Sequence, residues 1–177
     1  MAHNQQIQYI SKIKNKYPTF FIESNVLEIG SLNINGTIRV FFDKCKYIGV
    51  DVDDGQDVDF VCEGQNLNFS NNFFDTTISC ECFEHNPYWL ETFLNMYRMT
   101  KQNGLIVFTC ATTGREEHGT NNSKKWASPL TKWNYYRNLT EKDFLNRLNF
   151  NLMFDEYKFE TNDTSKDLYF YGIKKIY

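Results

Sequence analysis

Acidic residues follow several short apolar segments of the sequence. Glu28 lies within "VLEI", Asp51 follows "YIGV", and Glu81 follows "FDTTISC". Ligands of open parallel sheets bind beyond the carboxyl ends of the strands, and an acid at the second of these ends can accept hydrogen bonds from the vicinal hydroxyls of a ribose. Asp51 lies 23 residues after Glu28, which suits that role. The clustered acids predict a ligand that is cationic or rich in hydroxyls.

The loop that follows Glu28 does not match the common phosphate-binding patterns. No G-x-x-x-x-G-K-[ST] sequence occurs, and Gly30 is followed by Ser31, Leu32 and Asn33, so G-x-G-x-x-G is absent too. Gly30 has another use, because a residue without a Cβ lets the backbone approach a ligand closely. These observations argue against a phosphate as the main ligand.

The elements that must position these residues alternate between strand and helix. Pro18 ends the first helix, and Thr140 with Asp143 has the spacing of a capping box at the start of the last one. The alternation predicts an α/β protein with a parallel sheet. Helices are predicted at 3–16, 35–42, 88–100 and 139–148, and strands at 26–29, 47–50, 58–61, 74–80, 105–111, 152–159 and 168–176.

Two connections depart from a regular strand-helix alternation. The stretch "DVDDGQD" between the second and third strands is too short for a full helix. The stretch "ETNDTSKD" between the last two strands is too short for a parallel crossover, which needs a dozen or more residues. We therefore expect the last two strands to form an antiparallel hairpin, with the first of them at the edge of the sheet.

Composition favours a globular protein of the cytoplasm. The 177 residues carry a formal net charge of -3, which argues against a nucleic-acid surface held by bulk charge. No apolar run is long enough to cross a membrane, and the start of the chain does not resemble a secretion signal. The five cysteines are expected to be free thiols in a reducing compartment. Their spacing, with that of the histidines, predicts no metal site.

Four segments, taken in order, resemble the motifs of the class I S-adenosylmethionine-dependent methyltransferases. "VLEIGSLNING" resembles the first motif, "YIGVDV" the second, "CEGQNLNF" the segment along the adenine, and "FDTTISCECFEH" the fourth. The resemblance covers roughly residues 23–176. This sequence departs from the family where Leu32 and Ile34 replace the second and third glycines of the first motif, and where Phe83 replaces a leucine of the fourth.

The resemblance implies a fold, a cofactor and a set of cofactor-binding residues. The fold is a Rossmann-like, mostly parallel sheet of seven strands in the order 3-2-1-4-5-7-6, with strand 7 antiparallel, in a single methyltransferase domain of residues 1–177. The cofactor is S-adenosyl-L-methionine, the product is S-adenosyl-L-homocysteine, and Asp51 binds the ribose. The implied cofactor-binding residues are Glu28, Gly30, Ser31, Asn35, Asp51, Val52, Glu63, Gly64, Gln65, Cys80 and Glu81.

The acceptor is expected to bind between the amino-terminal helix, within residues 1–17, and the long irregular loop at 111–138. Loops of this length inside a domain are usually functional or disordered. His118 is the better candidate for catalysis and His85 the second, because His118 lies on the side from which an acceptor would enter. A solvated loop for His118 and a structural Glu84–His85 pair are the alternatives. The substrate-side residues are Arg115, Glu117, His118, Tyr135, Tyr136 and Arg137.

The predicted activity is methyl transfer to a small molecule or a glycan-type acceptor. A non-catalytic protein that binds S-adenosylmethionine is the alternative from a different class. Nucleic-acid methylation is less favoured, because the N/D-P-P-Y/F motif is reduced to "NPY" at residues 86–88. The sequence contains no indication of the oligomeric state.

Overall fold

Seven strands form one sheet in the computed structural model, which describes residues 3–176. The strands are β1 (Asn25–Ile29), β2 (Lys46–Asp51), β3 (Phe60–Val61), β4 (Phe74–Cys80), β5 (Thr100–Ala111), β6 (Phe154–Asn162) and β7 (Asp167–Lys174). They lie in the order β3-β2-β1-β4-β5-β7-β6. Strands β1 to β5 are parallel, and β7 runs antiparallel to both of its neighbours. This topology confirms the predicted fold class.

Within residues 3–176, four helices accompany the sheet. They are α1 (Asn4–Lys16), α2 (Trp89–Met99), α3 (Glu141–Leu145) and α4 (Phe150–Met153). The predicted capping box at the start of α3 is present, with the backbone N–H of Thr140 donating to Oδ2 of Asp143 at 2.8 Å. Among the described residues, no helix is long and apolar enough to cross a lipid bilayer.

The helix predicted at residues 35–42 is wrong. The chain makes only a 3₁₀ turn there, from Ile38 to Phe41. Gly36 has a φ of +124°, and the extended Thr37 caps the turn by accepting a hydrogen bond from a backbone N–H. Val40 is 76% exposed, so the apolar spacing that suggested a helix does not mark a buried face. β-Branched residues also favour helices poorly.

Both predicted departures from the alternation are confirmed. Within the described residues, the segment between β2 and β3 contains no helix, and β3 itself has only two residues. Strands β6 and β7 form an antiparallel hairpin, and β6 is the edge strand. The carboxyl ends of β1, β2 and β4 therefore meet at one edge of the sheet, and the start of β7 lies at the same edge because Asp167 pairs with Ala111 at the end of β5.

The central strands β1, β4, β5 and β7 are buried on both faces of the sheet, as is typical of covered parallel sheets. One face packs on α2, α3 and α4 through aromatic side chains that include Phe93, Phe108 and Phe144. The other face packs on α1 through Tyr9, Ile10 and Ile13. This burial on both sides makes the sheet a rigid support for the residues at the carboxyl ends of its strands.

The long loop after β5 is irregular, as predicted, apart from one 3₁₀ turn at Lys125–Ala127. It leaves and rejoins the sheet at the same place, because the backbone N–H of Leu139 donates to the carbonyl of Ala111 at 2.9 Å. The loop is thereby held over the edge of the sheet at which the predicted site residues lie.

Candidate functional site

A cleft lies at the carboxyl ends of β1, β2 and β4, where ligands of open α/β sheets bind. It contains about 670 Å³ of empty space, a volume that includes its open mouth. Of the residues predicted for cofactor or catalysis, those that line it are Gly30, Asp51, Val52, Gly64, Cys80, Glu81 and His85.

Asp51 ends β2 with its carboxylate on the wall of the cleft. The backbone N–H of Leu32 donates to Oδ2 at 3.0 Å, and the backbone N–H of Val52 donates to Oδ1 at 2.8 Å. Each oxygen keeps a lone pair, so the carboxylate can accept two further hydrogen bonds. Burial raises the pKa of Asp51 above its ordinary value. The bond from Leu32 also fixes the loop that follows β1 against the tip of β2.

Gly30 is required by the geometry of that loop. Its φ is +83°, and a Cβ placed there would lie 2.6 Å from Cβ of Cys82 and 2.9 Å from its Sγ. Its backbone N–H donates to the carbonyl of Val50 at 2.8 Å. Gly30 was expected to let the backbone approach a ligand. The close approach that it permits in the structure is to Cys82 on the neighbouring turn, so that explanation is incomplete.

Glu28 does not line the cleft. Residues alternate across a strand, so its neighbours Leu27 and Ile29 face the α2 side while Glu28 faces the α1 side. There it accepts a 2.8 Å hydrogen bond from the hydroxyl of Tyr47, and burial raises its pKa to about 7. With Ser31 it lines a smaller cavity of about 280 Å³. The predicted direct contact of Glu28 and Ser31 with a ligand of the main cleft is not what the geometry shows.

Three other predicted cofactor residues lie outside the cleft. Asn35 is exposed in the loop before the 3₁₀ turn. Glu63 accepts hydrogen bonds from the side-chain amides of Gln65, at 2.9 Å, and Asn66, at 3.0 Å. Gln65 also accepts from the hydroxyl of Thr92 on α2, at 3.3 Å. Glu63 and Gln65 therefore shape the turn that presents Gly64 to the cleft.

Glu81 follows β4 with a φ of +51°, a left-handed conformation that costs energy in a residue with a Cβ. The hydroxyl of Thr109 donates to its Oε1 at 2.9 Å, and Nε2 of His3 lies 3.8 Å from its Oε2. His3 also lies 3.0 Å from Oδ2 of the fully buried Asp167. Burial and the charge of Asp167 raise the pKa of Glu81. Backbone strain of this kind is concentrated at functional sites.

Residues 127–133 form a covering segment across the cleft. Two contacts hold it in place: Nζ of Lys132 lies 4.0 Å from Oε1 of Glu63, and the ring of Trp133 packs on Tyr88 with 5.9 Å between centroids. Gly119 lies so close to the segment that an added Cβ would be 2.6 Å from Cβ of Ser128. The covering segment is part of the long loop after β5, and it narrows the cleft.

Two histidines and a tyrosine form a cluster of rings, of which His85 lines the cleft while the predicted site residues His118 and Tyr136 do not. The ring centroids of His85 and His118 are 4.9 Å apart, and Tyr136 packs on both rings. Burial, with the nearby His118, lowers the pKa of His85 to about 3, and burial lowers the pKa of His118 as well. Both imidazoles are therefore neutral at pH 7. The two catalytic candidates, which the sequence analysis separated, lie in direct contact.

Comparison with known proteins decides the family. The family described as "Methyltransferase domain" matches residues 1–163. The chain belongs to this methyltransferase family. The match and the strand order confirm the resemblance to class I S-adenosylmethionine-dependent methyltransferases. No curated protein sequence matches this methyltransferase significantly.

Solved structures with this fold differ widely in what they act on. Phosphoethanolamine N-methyltransferase 2 of Haemonchus contortus, with phosphomonomethylethanolamine and S-adenosylhomocysteine, is 16% identical with a TM-score of 0.65, over 96% of this chain and 52% of that chain. The 1,6-didemethyltoxoflavin-N1-methyltransferase of Burkholderia thailandensis, with 1,6-didemethyltoxoflavin and S-adenosylhomocysteine, is 15% identical with a TM-score of 0.64, over 96% and 78%. The [4+2]-cyclase SpnF is 10% identical with a TM-score of 0.65, over 97% and 82%. The chain thus spans about half the length of the first protein, and these likenesses show the fold alone.

The remaining substrate-side residues of the methyltransferase mostly hold the long loop. Nη1 of Arg115 donates to Oδ1 of Asp167 at 3.0 Å, and the guanidinium of Arg137 pairs with Asp143 on α3. Glu117 accepts a hydrogen bond from the hydroxyl of Thr120, and Tyr135 is half-buried. None of Arg115, Glu117, Tyr135 and Arg137 lines the cleft.

Twelve of the nineteen residues that line the cleft of this methyltransferase were not predicted from the sequence. Apolar side chains of the β1 loop and the covering segment carry no charge or motif spacing that marks them as ligand contacts. The residues missed are Ile29, Leu32, Ile34, Cys62, Cys82, Asn86, Ala127, Ser128, Pro129, Leu130, Thr131 and Trp133.

Proposed function

We propose that this methyltransferase binds S-adenosyl-L-methionine in the cleft and transfers its methyl group to a small-molecule or glycan-type acceptor. The observation that carries the proposal is the carboxylate of Asp51, which ends β2 on the wall of the cleft with one acceptor position free on each oxygen. An acid in this position suits the two hydroxyls of a ribose. The family match supports the same cofactor.

The cleft offers a place for each part of the cofactor. The ribose binds Asp51, with the adenine beside Val52 and Gly64. The methionine part lies toward Gly30 and Glu81, where the buried acid faces the ammonium group. Glu28 and Ser31 support the loop after β1 and do not line the cleft. Asn35, Glu63 and Gln65 also lie outside it and hold the nearby backbone in place. Cys80 contributes apolar surface to the floor.

The chemistry demands alignment more than activation. The sulfonium is already an activated donor, and the acceptor atom attacks the methyl carbon in line while S-adenosyl-L-homocysteine leaves. Holding the methyl donor and the acceptor atom in line lowers the activation barrier by up to about 7–11 kcal/mol. The covering segment, which is 127–133, excludes water from this reaction. The acceptor binds where His85 lines the cleft, next to the rings of His118 and Tyr136 that pack on it.

His118 is suited to accept a proton from the acceptor. Its Nδ1 lies 3.0 Å from the carbonyl of Glu116, so Nδ1 carries the proton and Nε2 keeps its lone pair. His85 is a weaker base because its pKa is lowered to about 3. Base catalysis adds on the order of 10²–10⁴-fold when the acceptor is a hydroxyl or a protonated nitrogen.

A small acceptor is favoured over a macromolecule. The covering segment narrows the cleft, and two solved structures of this fold are complexes with small molecules, phosphomonomethylethanolamine and 1,6-didemethyltoxoflavin. The net charge of -3 does not favour nucleic acid. All five cysteines are free thiols, which fits a reducing compartment, and we place the protein in the cytoplasm.

A second candidate function is cofactor binding without methyl transfer. The [4+2]-cyclase SpnF has a TM-score of 0.65 to this chain, which demonstrates that the fold also serves a protein named for a different reaction. A protein of this kind would bind S-adenosylmethionine and release it unchanged with every acceptor offered.

Calorimetric titration and a transfer screen test the proposal together. S-adenosyl-L-methionine and S-adenosyl-L-homocysteine are titrated into the purified protein, and the labelled methyl group is then followed into pools of small molecules, oligosaccharides, RNA and protein. Binding with transfer to small molecules or oligosaccharides supports the proposal. Binding with no transfer to any pool supports the second candidate, and absence of binding rejects both.

A further inference from the structure

Glu84, which precedes the cleft residue His85, is a buried group without an explained role. It is fully buried, and neither carboxylate oxygen has a hydrogen-bond partner among residues 3–176. A buried carboxylate without a partner is costly, and it must be neutralised by a proton or by a cation. Burial raises its pKa, and Glu81 adds to that effect. The structural Glu84–His85 pair considered in the sequence analysis is not formed.

The two histidines bring ring nitrogens to the same place. Nδ1 of His85 is buried and has no hydrogen-bond partner within residues 3–176. His118 uses Nδ1 on the carbonyl of Glu116, which leaves Nε2 with its lone pair. One ligand atom from each of Glu84, His85 and His118 lies within 4.8 Å of the other two. A backbone carbonyl that orients a metal-binding imidazole is a common supporting contact in metal sites.

The positive side chain of this region is already occupied. Arg115 is close enough to lower the pKa of both histidines, but its Nη1 donates to Oδ1 of Asp167 and to the carbonyl of Ser165. The backbone carbonyl of Glu84 accepts from the N–H of Arg137, whose guanidinium pairs elsewhere. No cation of the described chain therefore compensates the carboxylate of Glu84.

A second group of possible metal ligands, unlike the group around Glu84, has partners for its acids within the protein. His3, Glu81 and Asp167 also lie close together. Each acid of this group has a partner within the protein, because Thr109 donates to Glu81 and both His3 and Arg115 pair with Asp167. This second group needs no ion, whereas the group around Glu84 has a buried acid that only a proton or an ion can neutralise.

We propose that Glu84, His85 and His118 bind a divalent transition-metal ion, with Zn²⁺ as its simplest representative. Two imidazoles and one carboxylate are a ligand set of catalytic zinc sites and of non-haem iron sites. Ligands at about 2.1 Å from a tetrahedral ion lie about 3.4 Å apart, so binding draws the three groups inward by at most about 1.4 Å. Gly119 packs on His85, and this contact brings the long loop that carries His118 close to the proposed ion site.

Three protein ligands leave at least one coordination position, which distinguishes catalytic from structural zinc sites. His85 lies on the wall of the cleft, so that position faces the region assigned to the acceptor. This step rests on the proposed function: the ion would bind a hydroxyl group of the acceptor and lower the pKa of that hydroxyl. His118 would then act on the acceptor through the metal rather than as a free base. Metal binding itself does not depend on methyl transfer.

The test uses the untagged, full-length protein after removal of metal by a chelator. ZnCl₂ is titrated by calorimetry into wild type, Glu84→Gln, His118→Ala and His3→Ala, the last being a control because His3 is the third histidine of the chain. We expect one Zn²⁺ per chain, at least 100-fold weaker binding in Glu84→Gln and His118→Ala, and less than threefold change in His3→Ala. Circular dichroism and thermal melting verify that each variant is folded.

Two further readouts separate the proposal from its competitors. Zn²⁺ should raise the melting temperature of wild type and His3→Ala, because it binds the folded state only, and should leave that of Glu84→Gln unchanged. Co²⁺ in place of Zn²⁺ should produce d–d absorption without sulfur-to-metal charge transfer. Wild type that binds less than one fifth of an equivalent, a Glu84→Gln variant that binds as wild type does, or charge transfer from a cysteine would each overturn the proposal.

Discussion

The hydroxyl of Tyr47 donates a 2.8 Å hydrogen bond to Oε2 of Glu28 beneath the loop that follows β1. Glu28 is almost fully buried, and burial raises its pKa from an ordinary 4.5 to about 7 against the opposing effects of Tyr47 and Arg39. Asp51 and Asp57 also raise it. The acid that the sequence motif marked thus supports the loop and remains half protonated near neutral pH.

The free energy of unfolding should depend on pH through Glu28. Its folded pKa lies above its unfolded pKa, so the folded state binds more protons between pH 4.5 and about 7, and stability falls as pH rises through that window. Glu28→Gln does not ionise and escapes this loss. The stability of Glu28→Gln relative to wild type should therefore increase by about 1–3 kcal/mol from pH 4.5 to pH 8, measured by urea unfolding.

Glu23→Gln is the matched control, because Glu23 is an exposed acid just before β1. Its stability relative to wild type should change by less than about 0.5 kcal/mol over the same range, as is usual for surface substitutions. An equal response of the two variants would mean that Glu28 is ionised normally in the folded protein.

Gly119 should control the position of the covering segment. A Cβ there would lie 2.6 Å from Cβ of Ser128 and 2.8 Å from Cε1 of His85, at a φ of +73°. Gly119→Ala should therefore displace the segment and expose the bonds after Lys124 and Lys125 to trypsin. We expect cleavage at least fivefold faster than in wild type, and methyl transfer reduced at least tenfold.

Gly114→Ala supplies the comparison for backbone strain alone. Gly114 has a φ of +92°, but the nearest atom to its added Cβ, Cδ of Lys166, is 3.5 Å away. This variant should lose about 1–2 kcal/mol of stability from the left-handed conformation and keep the wild-type pattern of trypsin cleavage. Similar cleavage in both alanine variants would remove Gly119 from any special role in the covering segment.

His118 and His85 should respond differently to substitution although their rings are in contact. His118→Asn should keep the affinity for S-adenosyl-L-methionine within twofold and lose about 10²-fold or more in kcat, because the lone pair of Nε2 is removed. His85→Ala should lower the melting temperature, since that ring is 7% exposed and packs on Gly119.

Trp126→Ala tests whether any change in the long loop has the same effect, because Trp126 is 66% exposed on that loop. Its kcat should match wild type with the acceptor found in the transfer screen. A His118→Asn variant with wild-type kcat would make the loop histidine a bystander.

The strand order was implied by the resemblance to the methyltransferase family, whereas the two departures from regular alternation could be predicted from the lengths of the connections. The connection between β6 and β7 excluded a parallel crossover, and the segment after Asp51 was too short for a helix. The failure at residues 35–42 has a local cause, since apolar spacing alone does not reveal that Val40 is exposed and that Gly36 adopts a positive φ.

The charged site residues that follow or end a strand could be predicted from the sequence. The residues that reach the site from distant segments could not. Asp51 and Glu81 lie where the motifs placed them, on the cleft wall. Side-chain alternation along β1 turns Glu28 to the α1 side, away from Leu27 and Ile29, whereas the motif implies a contact with the ligand. The contact of His118 with His85 depends on the path of an irregular loop, which no periodicity reports.

The central claim is that Asp51 holds the ribose of S-adenosyl-L-methionine in the cleft. Calorimetric titration of S-adenosyl-L-homocysteine into wild type, Asp51→Ala and Asp54→Ala measures it most directly, because Asp54 is an exposed acid of the same turn. Hydrogen bonds to a charged group contribute about 1.5–3 kcal/mol, so Asp51→Ala should bind at least tenfold more weakly in a folded protein, while Asp54→Ala binds as wild type does. An Asp51→Ala variant that is folded and keeps wild-type affinity would contradict the account.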